Sequence, residues 1–91
     1  MSTRVAATEA EIWRRAIQPD VGDLPADAAR ALLRLKIAED DLERIRNLSD
    51  KVGTDSLSED ESRELDHYLN VGRTLEFIKA KARLSLRDAS V

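Results

Sequence analysis

Glu64 and His67 stand three residues apart in the stretch Glu64-Leu65-Asp66-His67. On a helix that spacing puts both side chains on one face, and di-iron helical bundles hold metal with the same Glu-x-x-His step. Such a site needs two of these motifs and further inward Glu residues. This chain has one motif and one histidine, so a metal site would require two copies. The expectation adopted is a solvated Glu and His near a helix start. The chain has no cysteine, hence no thiolate chemistry and no disulfide. Hydroxyl nucleophiles need a positioned base, and His67 has no evident Ser partner or orienting group. Gly22, Gly53 and Gly72 stand alone, so no phosphate-cradling loop is visible. The segment Asp50–Glu61 has the acids and glycine of a calcium loop, but with Gly53 in the sixth position the first ligand would be Leu48. These residues predict no catalytic side chain, no metal and no cofactor.

Charge is the remaining chemistry. Glu59–Asp66 holds five acids against one Arg, and Lys79–Asp88 holds four bases against one acid. On one helix this polarity complements the helix dipole. It also offers a basic end, Lys79, Lys81, Arg83 and Arg87, to phosphates. Few aromatics are present to stack bases, so direct nucleic-acid binding is not expected.

The elements that must position these residues follow from composition. Ninety-one residues suit a single domain, and a 42% apolar fraction suits a folded one. With only one Trp, one Tyr and one Phe, the core must come from Leu, Ile, Val and Ala. The net charge of −3 argues for no particular partner. No apolar run approaches membrane-span length and no basic-then-apolar leader opens the chain, so a soluble cytoplasmic protein is expected.

Residues 1–7 should fray. Thr8 and Glu11 fit a capping box that opens a helix over about 8–18, stopped by Pro19. Pro25 opens a second helix, about 25–35, with Leu32 and Leu35 on its apolar face. A third, about 38–52, starts acidic at Glu39, Asp40 and Asp41 and carries Leu42, Ile45 and Leu48, with Gly53 as its C-terminal cap. Ser58 and Glu61 form another capping box. From there to about Arg87 only Gly72 interrupts, which predicts a helix over 59–87, roughly 29 residues and about 43 Å long.

Within that last helix, Ile78, Ala80, Ala82, Leu84 and Leu86 alternate with polar residues, the period of a half-buried strand. No turn signal precedes Ile78, the residues are strong helix formers, and no second strand is available to pair, so helix is predicted. Wound as a helix, it shows two apolar stripes. The main one runs through Tyr68, Val71, Leu75, Ile78, Ala82 and Leu86, with Leu65, Leu69 and Gly72 beside it. The second holds Phe77, Ala80 and Leu84, bordered by Lys81 and by Lys79 and Arg83. The expected core is Trp13, Leu32, Leu42, Ile45, Leu48, Leu65, Tyr68, Leu69, Leu75, Ile78 and Leu86. The second stripe is either covered by helix one through Trp13 or open for another chain. In the latter case Phe77, Ala80, Lys81, Arg83 and Leu84 form the partner interface.

The densest sequence features are Ala28-Ala29-Arg30-Ala31, Asp41 with Arg44, Glu64-Leu65, Tyr68-Leu69, Val71-Gly72 and Lys81-Ala82-Arg83-Leu84-Ser85-Leu86. Together, from about Ile12 to Arg87, they resemble a family of small, largely uncharacterised bacterial helical proteins. Members often open the second helix with Ser-Pro-Glu, where this chain has Leu24-Pro25-Ala26, and place Gln-Ser before Lys-Ala-Arg, where it has Lys79-Ala80. They are similar to proteins encoded beside HNH-type nucleases, which implies an antitoxin-like or accessory role with such a nuclease as partner. The expectation is thus an all-α bundle, three shorter helices packed on a long C-terminal helix. Its expected function is a non-enzymatic interaction module that docks a second copy or another protein. The alternative is a small nucleic-acid-binding regulatory protein using the basic end, with a metal enzyme third.

Overall fold

The structure, a computed structural model, describes residues 5–89. Four helices follow in order: α1 (Glu9–Ile17), α2 (Ala26–Leu33), α3 (Glu39–Gly53) and α4 (Glu59–Ala89). No strand occurs among the described residues. Of the segment expected to fray, residues 1–4 lie outside the description, and 5–8 are non-helical. The alternating stretch at 78–86 is helix throughout, the last third of the 31-residue α4.

Local chemistry sets most boundaries. The Thr8 hydroxyl accepts the Glu11 N–H at 3.1 Å and donates to Glu11 Oε1 at 3.0 Å. Ser58 and Glu61 bond reciprocally, Glu61 N–H to Ser58 Oγ and Ser58 N–H to Glu61 Oε1, both at 3.1 Å. Each cap satisfies N–H groups that have no helical partner. Gln18 ends α1 in the left-handed region, φ 55°, with its N–H on the Arg14 carbonyl, and Pro19 prevents continuation. The end of α3 differs from expectation. Gly53 is the last helical residue and has no positive φ; the left-handed position falls two residues later on Asp55, φ 53°. The Thr54 hydroxyl donates to the Asp50 and Lys51 carbonyls at 3.3 Å, so a side chain caps this end instead of a glycine.

The three short helices all pack on α4, and none packs on another. The pairs Lys51–Glu61, Arg44–Glu64 and Asp41–Tyr68 run α3 antiparallel to the first part of α4. The result is a slab 50 × 48 × 15 Å. Its thinnest dimension matches two helices packed about 10 Å apart. The radius of gyration is 16.9 Å, against about 12 Å for a compact chain of this length.

That shape corrects part of the expected core. Leu48 is completely buried, as are Ala29, Ala82 and the hydroxyl residue Ser85. Leu32, Ile45, Leu65, Tyr68, Leu75, Ile78 and Leu86 are half-buried. Trp13, Leu42 and Leu69, expected inside, are 42%, 37% and 54% exposed. The physical reason is the missing contact between short helices. Each covers only the strip of α4 beneath it, so an apolar residue off that strip stays wet.

Candidate functional site

Three arrangements on α4 could carry function: a polar latch at its N-terminal end, a loop docked near its C-terminal end, and an open groove along its flank.

The latch joins α3 to α4. Arg44 grips Glu64 with both ends of its guanidinium, Nε to Oε2 and Nη2 to Oε1, each at 2.9 Å. A fork of this kind fits a carboxylate in one orientation. Lys51 donates to Glu61 Oε2, and Tyr68 Oη donates to Asp41 Oδ1 at 2.7 Å. Lys51, and then the Ser58 N–H, hold the Glu61 carboxyl down at a pKa of about 2. Arg44 lowers the Glu64 pKa, while Glu64 in turn raises that of Arg44. The Asp41 carboxylate beside Tyr68 raises the phenol. Glu64 is therefore engaged, a correction to its expected solvation, while His67 is exposed as expected. Among the described residues no group of three or more His, Cys, Asp or Glu is placed to hold a metal ion.

The docked loop runs from Gln18 to Leu24. The Lys81 ammonium donates to the Val21 carbonyl at 2.9 Å and the Gln18 carbonyl at 3.4 Å, and pairs with Asp23 Oδ1 at 2.6 Å. An ammonium has three N–H groups, and each finds an acceptor here. That hydrogen bond from Lys81 lowers the Asp23 pKa. Ser85 Oγ accepts the Leu24 N–H at 3.1 Å and donates to the Lys81 carbonyl at 2.8 Å. Pro19 is buried beside this contact region. At Gly22 the two backbones nearly touch: a Cβ there would lie 2.9 Å from the Leu84 carbonyl carbon and the Ser85 nitrogen. Only glycine fits such an approach.

The groove is a cavity of about 390 Å³ open to solvent. Trp13 of α1 forms one wall. Leu35 and Ile37 of the α2–α3 connection form another. Val71, Leu75 and Ile78 of α4 form the floor, and Glu9, Lys36, Asn70 and Thr74 complete the lining. Val71 is 57% exposed. The expected core stripe of α4 thus contributes the floor of an open groove.

The expected interface residues fare differently. Lys81 does not flank a free surface: its side chain is 12% exposed and tied to the docked loop. Phe77, Ala80 and Leu84 are half-buried. Arg83 is exposed, its Nη2 3.4 Å from Glu76 Oε2. Trp13 lines the same groove as Leu75 and Ile78, on the side of the main stripe. Sequence reasoning missed Ile37, the role of Leu35 outside α2, and the docking role of Gly22 and Ser85. A signal existed in Leu35-Lys36-Ile37, two large apolar residues in a connection where polar ones are the norm.

No family model, curated protein or solved structure matches this chain.

Proposed function

We propose that this chain is a non-enzymatic protein–protein interaction module whose groove between α1, the α2–α3 connection and α4 receives an apolar surface of another polypeptide. The observation that carries the reading is the groove itself, with six large apolar side chains around an open 390 Å³ space. Contiguous exposed apolar surface of this kind marks interaction sites, and aromatic anchors such as Trp13 dominate their energetics. The sequence resemblance supports an HNH-type nuclease as one partner class, with an antitoxin-like or accessory role. The competing reading, nucleic-acid binding by the basic end of α4, loses Lys81 to the docked loop and has Arg83 beside Glu76 and Arg87 beside Asp88.

The test is affinity capture with wild type and Val71→Glu side by side, followed by mass spectrometry. A protein retained by wild type and lost by the variant supports the reading. Identical captures, or salt-dependent DNA binding that the variant leaves unchanged, overturn it.

A further inference from the structure

We infer that the groove closes on a second copy of this chain, making an isologous dimer through α4, the α2–α3 connection and Trp13. The inference rests on the interaction reading above and names the occupant.

Surface area is the first argument. The chain exposes 6950 Å², whereas a compact monomer of its mass exposes about 5,300 Å². That excess is larger than the roughly 800 Å² per partner that a standard interface buries, so a dimer contact can be drawn from it. The slab is 15 Å in its thinnest dimension, and a second slab laid on the groove side would double that thickness and cover the groove. Among the described residues the buried apolar side chains are Ala29, Leu48 and Ala82, together with Pro19, a small set for a chain of this size. Obligate dimers share this trait, their interfaces resembling a domain core cut in half.

Charge is the second argument. The groove lining holds one acid and one base, Glu9 and Lys36. A two-fold axis presents the same patch to itself, so each residue type meets its own surface reversed. A strongly acidic or basic patch would repel its copy. This one carries no net charge, and its polar members Asn70 and Thr74 can bond across the axis without adding any. A strongly charged partner would find no matching excess here.

The experiment is sedimentation equilibrium of purified full-length chain from micromolar to several hundred micromolar. Three proteins are compared: wild type, Val71→Glu, and Arg63→Glu as a control on the latch end. Circular dichroism confirms the helix content of each. Wild type and Arg63→Glu should reach twice the 10.2 kDa chain mass, and Val71→Glu should stay at that mass while folded. Should Val71→Glu lose helix, Lys36→Glu takes its place, giving the groove two acids per copy and the same expected shift to monomer. A wild type that remains at the single-chain mass throughout overturns the dimer. The wider interaction reading is then judged separately by its capture experiment. A folded Val71→Glu or Lys36→Glu dimer as strong as wild type places self-association on another face and also overturns the inference.

Discussion

The latch at the N-terminal end of α4 and the groove along its flank treat the surface of one helix differently. At its N-terminal end, α3 is held by a buried leucine, a bidentate Arg44–Glu64 pair, Lys51–Glu61 and Tyr68–Asp41. Those contacts are complete within one chain. Along the groove, Trp13, Leu35 and Val71 are exposed and Ile37 is half-buried. Burying a large apolar side chain stabilises by about 1.5–3 kcal/mol, so the groove forgoes several such contributions. The difference separates a contact completed within one chain from an apolar groove left open, which is where the proposed interface lies.

The comparison can be broken at either end, and the largest effect is expected at the latch. Leu48→Ala empties a fully buried site and should destabilise the chain by about 2–5 kcal/mol, read by urea denaturation. A loss under about 0.5 kcal/mol, the usual range of a surface change, would show that α3 contributes little to the monomer. Next comes the docked loop. Gly22→Ala forces a Cβ against the α4 backbone and should cost about 1–3 kcal/mol. A neutral result would mean that the loop detaches freely.

The latch should also be visible in acid. Glu61 titrates near pH 2 when folded, below its ordinary value of 4.5. The unfolded chain therefore takes up this proton first, and the stabilisation is fully present above about pH 4.5 and lost as pH falls toward 2. Glu64 and Asp23 shift in the same direction. Thermal melts of wild type should fall steeply across that window, and Glu61→Gln should flatten the fall. An unchanged slope in Glu61→Gln would remove Glu61 from the latch.

Smallest are the surface changes. At a concentration where the protein is monomeric, Val71→Glu and His67→Ala should each shift folding stability by no more than about 0.5 kcal/mol. Glu64→Ala, three residues before His67, should be clearly destabilising because it removes the bidentate partner of Arg44 and leaves only the longer 3.7 Å contact with Glu61. Equal effects of Glu64→Ala and His67→Ala would dissolve the distinction between latch and exposed face.

Much of the fold was legible because local chemistry is written residue by residue. Thr8 with Glu11, Ser58 with Glu61, and Pro19 mark helix ends that stand where the spacing put them. The helix at 78–86 was readable from its Ala, Lys, Leu and Arg content despite the alternation. What periodicity could not show is which apolar stripe gains a cover. That depends on how short helices sit relative to one another, and here none touches another, so Val71, Leu69 and Trp13 remain wet on faces that look like core. Long-range backbone approaches were equally hidden. Gly22 against Ser85 joins residues more than sixty positions apart, and an isolated glycine in a loop carries no mark of what it must approach.

The central claim is that another polypeptide covers the groove, and Trp13 reports on it directly. It is the single tryptophan of the chain, and it forms a groove wall. Acrylamide quenching of its fluorescence should be followed as wild-type concentration rises, and again with any captured partner in excess, beside Val71→Glu. The account predicts that Trp13 becomes shielded in wild type under at least one of these conditions, and stays quenchable in the variant. An indole in wild type that remains equally quenchable at every concentration and with the partner present would contradict it.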